Sequence, residues 1–285
     1  MFHLTKNVIH HWPLLWVVST LPAKASLVFL EHQMTTTPCA ALIMAGGRSE
    51  RMRAGGYNQH KALRTVLGVP LIERSIASLL GFGFNELFVA MNRREHALAD
   101  WLHRRRRELA GSVAAKLEIL VEDQPLGTIG AVACLPAHVE DVVIVNVDNL
   151  MSLDLKELVL FHRESRAAAT IATHQERFRI PFGSLDLAGQ GVVGYEEKPE
   201  LAVWISSGAY VLGRSAIDRV PPGVRLDLPT LIHSLIAAGE PVAAHRHQAH
   251  WIDINDEAAL ARAETFVRST AGDGVDPLHR RTVYN

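Results

Sequence analysis

The chain has 285 residues, 48% hydrophobic and 21% charged, with 29 Lys and Arg against 30 Asp and Glu. That composition belongs to globular domains and excludes disorder as the main state, while a net charge of -1 lacks the excess of clustered cations that a dedicated nucleic-acid binder needs. The cysteines, Cys39 and Cys134, stand in no CxxC spacing, so neither a disulfide framework nor a thiolate metal site is read, and a reducing cytoplasmic setting fits. Residues 1–33 form an extension with its own texture. Lys6, an apolar stretch at 12–18 and Ala23-Lys24-Ala25 mimic a secretory signal, which would mean export. Pro13 and Pro22 interrupt the pattern, and the stretch is too short to span a bilayer core of ~30 Å. The expectation is therefore that Met34 is the true start, 1–33 being a mis-assigned extension.

Beyond it, short apolar runs at 40–44, 87–91, 117–121 and 142–147 predict strands, and helical periodicity at 71–80 and 95–109 separates the first three. Strands that are apolar throughout are buried on both faces. The series therefore predicts an α/β, Rossmann-like, mostly parallel sheet flanked by helices, with ligands at the carboxyl ends of its strands. From Pro181 the strands shorten and alternate around a Gly-rich turn at 188–191, with a further run at 204–212, which predicts antiparallel additions in the second half. Helices at 228–238 and 256–269 close a single domain over 34–270, followed by a tail at 271–285.

The chemistry begins where the first strand ends. Ala45-Gly46-Gly47-Arg48-Ser49-Glu50-Arg51-Met52 places two glycines at a strand exit, where the backbone can approach a phosphate and turn N–H groups toward it. Arg51 adds a bidentate fork and Lys61 a point charge. The spacing is neither Walker A nor the dinucleotide fingerprint, so kinase and dehydrogenase readings lose their motif. A turn carrying a solvated arginine would look the same if this segment stood alone.

It is followed by others. Lys61, then Leu67-Gly68-Val69-Pro70-Leu71-Ile72, Pro125-Leu126-Gly127-Thr128, Val145-Asn146-Val147-Asp148, Ile180-Pro181-Phe182-Gly183, Glu197-Lys198-Pro199, Ser206-Ser207-Gly208-Ala209-Tyr210 and Trp251-Ile252-Asp253-Ile254 come in one order. Together they resemble the sugar-1-phosphate nucleotidyltransferases over about residues 40 to 265. The resemblance implies the GT-A-like architecture of nucleotide-diphospho-sugar transferases, a nucleoside triphosphate and a sugar-1-phosphate as substrates, and Mg²⁺ as cofactor. It implies Arg51 and Lys61 as catalytic residues, and Ala45, Gly46, Gly47, Gly127 and Thr128 at the nucleotide. It also implies Gly183, Glu197, Lys198 and Ser207 at the sugar phosphate, and Asp148 with Asp253 at the metal. The residues agree independently: Asp148 ends a buried strand, where a bare carboxylate is costly without a cation or donor, and Mg²⁺ takes only one or two protein carboxylates. Taken singly, Asp148 also reads as a turn cap and Asp253 as the residue before a helix. No nucleic-acid or membrane partner is expected, and a homo-oligomer stays open.

The sequence departs from the family pattern at Ser49, in the flanks of Lys61 (His60 and Ala62), at Ser206 and at Asn255. A glycosyltransferase, an alcohol-phosphate or acidic-sugar cytidylyltransferase and a non-catalytic nucleotide-sugar sensor are the alternatives; Asp148-Asn149-Leu150 is not the D-x-D site common in the first. His245, His247 and His250 invite zinc, but histidines on an exposed antiparallel strand need no metal. The run at 104–107 reads as a solvated cationic helix end.

Overall fold

A computed structural model of the chain describes residues 39–46, 60–112 and 115–271. The extension at 1–33, the tail after its first residue, and Gly47, Ser49 and Arg51 lie outside the described residues. The chain divides into the units Met1–Thr37 and Pro38–Asn285, and every element below belongs to the second.

Strand β1, Ala40–Met44, is buried along its whole length, as a run without a polar position requires. After the short pair β2 (Thr65–Val66) and β3 (Val69–Pro70), helix α1 (Leu71–Gly81) leads to β4 (Glu86–Asn92), and α2 (His96–Ser112) to β5 (Lys116–Glu122). Strands β6 (Asp141–Asn146) and β7 (Asn149–Met151) precede α3 (Leu155–Glu164) and β8 (Ala169–Arg179). The hairpin β9 (Gly183–Ala188) and β10 (Gly191–Glu197), the long β11 (Glu200–Gly213) and the short α4 (Arg214–Ile217) follow. Helix α5 (Leu228–Ala237), β12 (Val242–Arg246), β13 (Trp251–Asp253) and α6 (Glu257–Ala271) end the described chain.

The main sheet has the order β12-β8-β11-β6-β1-β4-β5. Strand β1 is parallel to both β4 and β6, β5 to β4 and β12 to β8, whereas β11 runs antiparallel to both its neighbours. The sheet is thus mostly parallel, with one antiparallel member in its second half. Two apolar layers cover it, one around Ile43, Ile76, Leu79 and Leu102 under α1 and α2, the other around Leu42, Phe88, Ile144 and Leu231 under α5. Leu42 and Phe88 are fully buried, so truncating either to alanine would cost about 2–5 kcal/mol.

Two minor expectations are corrected. Helix α2 runs on to Ser112, so the arginines at 104–107 lie within it rather than at its end, and Arg105 pairs with Glu73 at 2.8 Å and Glu108 at 3.2 Å. The strand carrying His245 is parallel to its neighbour, and His245 is buried with its ring edge-on to Phe161. No helix of the described residues is long and apolar enough to cross a membrane.

Candidate active site

The parallel register brings the ends of β1 and β6 level, with β4 running two residues further. Met44 pairs with Asn146 and with Ala90, and the ladder continues past the strand ends through Ala45 N–H to the Ala90 carbonyl at 2.9 Å and Val147 N–H to the Met44 carbonyl at 3.2 Å. Gly46 and Asp148 therefore leave the sheet side by side, on the carboxyl edge where open α/β sheets hold their ligands.

Asp253 reaches the same place from 105 positions further along the chain. Its strand β13 pairs antiparallel with β7, with Asp253 opposite Asn149, and Ile254 N–H donates to the Asp148 carbonyl at 2.9 Å. Asp148 is nearly buried and Asp253 half-buried. The Lys61 ammonium donates to Asp148 Oδ2 at 2.5 Å, so this carboxylate has a cationic partner within the chain. Lys61 opens a 3-10 turn, Lys61–Leu63, whose first free N–H, that of Ala62, donates to His60 Nδ1 at 3.1 Å. Where the family pattern has rigid flanks, a histidine cap fixes the lysine here. Asn255, one of the sequence's departures, donates its amide to Asp253 Oδ2.

The loop after β5 closes the other side. Gly127 has φ +83°, and a β-carbon there would lie 2.5 Å from the Leu226 carbonyl, so two independent reasons demand glycine. The Thr128 hydroxyl, expected at the nucleotide, accepts Leu228 N–H at 2.8 Å and caps α5, while Thr128 N–H donates to Asp227 Oδ1 at 3.0 Å. The loop is thus fastened to α5 through this hydroxyl and the Thr128 N–H.

Sequence reasoning missed Glu122. It ends β5 with its carboxylate buried; Oε2 accepts Leu126 N–H at 3.3 Å, and Oε1 has no hydrogen-bond partner among the described residues. A β-carbon on Gly46 would come within 3.0 Å of Oε2, so this carboxylate lies directly against the glycine strand exit. Burial pushes the Glu122 carboxyl above its ordinary range, and the Leu126 N–H offsets only part of that. The available signal was a carboxylate directly after the apolar run Ile119-Leu120-Val121 and just before the Pro-Leu-Gly-Thr loop.

The sugar-phosphate set divides. Gly183 pairs with Glu197 in the β9–β10 hairpin, where the Tyr195 hydroxyl lies over Gly183 and donates to Glu197 Oε2 at 2.7 Å. Lys198 follows with φ +51°, a conformation a lysine holds only under constraint. Glu200 is six residues before Ser206 on β11, so this hairpin begins ~20 Å along the strand from the Ser206–Gly208 bulge, at about 3.3 Å per residue. Among the described residues no hydrogen bond or ion pair ties it to Asp148. Ser207 is fully buried, its hydroxyl held between His174 and His247 at 2.8 Å each. No group of three or more His, Cys, Asp or Glu side chains suited to a metal occurs among the described residues. Two aspartates beside a phosphate cradle nevertheless fit Mg²⁺, which completes its shell with phosphate oxygens and water.

The family described as nucleotidyl transferase matches residues 40–270. The chain is 24% identical over 249 residues to a mannose-1-phosphate guanylyltransferase of Mycobacterium tuberculosis, covering 84% of this chain and 65% of that protein. It is 26% identical over 231 residues to a UTP–glucose-1-phosphate uridylyltransferase of Synechocystis, covering 75% and 59%. The chain thus spans less than two thirds of the length of these curated relatives. Its fold is that of a glucose-1-phosphate thymidylyltransferase structure from Bacillus anthracis, with a TM-score of 0.63, 18% identity and coverage of 81% and 95%. It is also that of HddC from Yersinia pseudotuberculosis in complex with GMP-PN, with a TM-score of 0.60, 20% identity and coverage of 80% and 99%. With most of its length matched in sequence and its sheet matched in three dimensions, the chain belongs to the nucleotidyl transferase family.

Proposed function

We propose that the chain transfers a guanylyl group from GTP to a sugar-1-phosphate, giving a GDP-sugar and pyrophosphate. The observation that carries the transfer is the meeting of Lys61, Asp148 and Asp253 at the strand ends beside Gly46. A sugar-1-phosphate oxygen attacks the α-phosphorus in line, the P–O bond to the β-phosphate breaks, and pyrophosphate leaves with the electron pair. The attacking oxygen is already ionised at neutral pH. No base is needed, and the protein's part is positioning and charge stabilisation.

In this reading Ala45, Gly46 and Gly47 amides and Arg51 hold the triphosphate. Lys61 leaves Asp148 for the phosphate oxygens in the transition state, and Asp148 with Asp253 hold Mg²⁺. That ion supplies charge neutralisation on the phosphate oxygens when bound. Gly127 admits the base close to the loop backbone, with the Thr128 segment behind it. Gly183, Glu197 and Lys198 receive the sugar phosphate.

The guanine assignment rests on Glu122. A buried carboxylate is acceptor-only, and its two oxygens match two adjacent donors. Guanine presents N1–H beside N2–H₂; uracil and thymine present one N–H between two carbonyls, and adenine and cytosine a single amino group beside an acceptor. The mannose-1-phosphate guanylyltransferase named among the relatives supports the same base.

The test is pyrophosphate release from a panel of nucleoside triphosphates crossed with sugar-1-phosphates, with Asp148→Asn and Asp253→Asn alongside. Release that is greatest with GTP and abolished in both variants is expected. No release from folded protein that still binds nucleotide would favour a sensor and overturn the reading.

A further inference from the structure

Asp148 and Asp253 are brought together by two strands of three residues each, too little backbone to hold a site by itself. Besides the Ile254 N–H bond to the Asp148 carbonyl, one carbonyl on β11 fastens both. The Ser207 C=O accepts the Asn149 side-chain amide at 2.9 Å and the Trp251 indole N–H at 2.7 Å. Asn149 is the neighbour of Asp148, and Trp251 stands two residues before Asp253, so a single acceptor on β11 pins both strands of the β7–β13 pair.

That carbonyl is itself held at a bulge. The β8–β11 register shifts between Ser206 and Tyr210, Gly208 takes φ +70°, and a β-carbon there would collide with the Asn149 amide. The bulge frees Ser207 from the regular ladder and turns its carbonyl toward β7 and β13. Its hydroxyl is then clamped. Ala249 N–H donates to His247 Nδ1 at 3.2 Å, which leaves the ring proton on Nε2 to donate to Ser207 Oγ at 2.8 Å. The Ser207 hydroxyl donates in turn to His174 Nδ1 at 2.8 Å, and His174 Nε2–H to Glu176 Oε1 at 3.2 Å. Every bond in the relay has one direction, and each group has a partner. The rings pack at a tilt into one block, His174 with centroids 4.7 Å from Trp251 and 5.5 Å from His247. Burial and the neighbouring imidazoles push His247 down to about 4, so it stays neutral, as the relay requires.

We propose that Ser207 is a positioning residue: clamped by His174 and His247, it holds Asp148 and Asp253 at the separation a divalent cation needs, through Asn149 and Trp251. The metal part rests on the two-aspartate reading above; the backbone part does not.

The test uses the full chain with Trp251→Phe, which keeps an aromatic ring of smaller size and removes the indole donor, and with His247→Leu and His247→Gln, the latter retaining a donor toward Ser207. Two readouts apply: amide hydrogen exchange at 149–151 and 251–254, and Mn²⁺ binding by electron paramagnetic resonance without substrates. Trp251→Phe and His247→Leu are expected to speed exchange of the Ile254 amide about ten-fold with β1 unchanged, and to weaken Mn²⁺ binding about ten-fold, as loss of a supporting hydrogen bond around a metal does. His247→Gln restores most of both. Folded Trp251→Phe with wild-type exchange and wild-type Mn²⁺ affinity overturns the proposal. Faster exchange in a protein whose wild type binds no Mn²⁺ supports the positioning role and removes the two-aspartate metal reading instead.

Discussion

At Glu122 a buried carboxylate ends the edge strand β5 with one oxygen unpartnered among the described residues, an arrangement costly to the free protein and useful with a donor-rich ligand. Glu122→Gln exchanges one acceptor for a donor, leaving a side chain that pairs with uracil or thymine and meets guanine with one clash. Its kcat/KM for GTP is expected to fall by about 10²-fold or more, since a site built for hydrogen bonds rejects mismatched donors strongly, while UTP or dTTP turnover rises. A panel of kcat/KM values checks it, and an unchanged preference for GTP would remove Glu122 from the base. The same residue sets a pH dependence. Its pKa is raised, so the native state holds the proton more tightly than the unfolded chain. Between the ordinary and the raised value, the unliganded protein loses stability as pH rises, whereas GTP affinity rises, because only the ionised form accepts both guanine donors. Denaturant midpoints and GTP KM measured across that window should move with these signs, and Glu122→Gln should flatten both. Lys61 makes a second separable case, because its ammonium sits on the carboxylate assigned to the metal. Lys61→Met is expected to lower kcat by about 10²–10³-fold while leaving Mn²⁺ affinity equal or tighter. Weaker Mn²⁺ binding in that variant would mean that Lys61 organises the aspartates rather than serving the phosphates.

Among the elements, the loop at 125–129 and helix α5 act as one piece, since Thr128 caps the helix and Asp227 holds the loop. Thr128→Val removes the cap and should cost about 1 kcal/mol, seen as a melting temperature lower by about 2–4 °C. It should also raise KM for GTP with kcat nearly unchanged; a kcat loss without a KM change would place Thr128 at the reacting phosphates. This pairing also marks how far the elements could be read in advance. The strands at 40–44 and 87–91 were legible because a run without polar positions fits a strand buried on both faces; the run at 142–147 carries Asn146 only near its end, and that at 117–121, which includes Glu118, forms the half-buried edge strand β5. The carboxyl ends of β1 and β6 located Gly46 and Asp148. What the sequence concealed is contact across distance. The β7–β13 pair joins residues about a hundred positions apart through three-residue strands that carry no periodicity. The helix cap falls on a threonine that looks free in the sequence. His245 and His247 resembled residues of an exposed strand because the burial of the first depends on α3 and the partner of the second on the β11 bulge. The histidine partners of Ser207 were hidden for the same reason, since its motif position does not reveal that its hydroxyl bonds His174 and His247.

Over the whole molecule, the site draws on the first strand, the fifth, the sixth and the thirteenth, so a bound nucleotide would join both ends of the described chain across the sheet. The two halves of the described chain meet through the short β7–β13 pair, the contact of the 125–129 loop with α5, and β11, the antiparallel member of the main sheet, which carries both the Ser207 junction and, at its start, the approach to Glu197 and Lys198. Ligand binding should therefore stabilise the fold as a unit rather than one lobe. A ligand held by the native state alone and present at a hundred times its dissociation constant adds about 2.7 kcal/mol. For a domain of this size that corresponds to a melting temperature higher by about 5–10 °C. With GTP and Mg²⁺ that shift is expected as one cooperative transition, monitored by tryptophan fluorescence and by far-ultraviolet circular dichroism together. UTP at equal concentration should give less, because Glu122 offers its central N–H one acceptor and repels its two carbonyls. In Glu122→Gln the order of the two nucleotides should reverse. Two separate transitions on adding GTP, with only one of them shifted, would mean that the nucleotide engages one lobe, and that Asp253 does not share a site with Asp148.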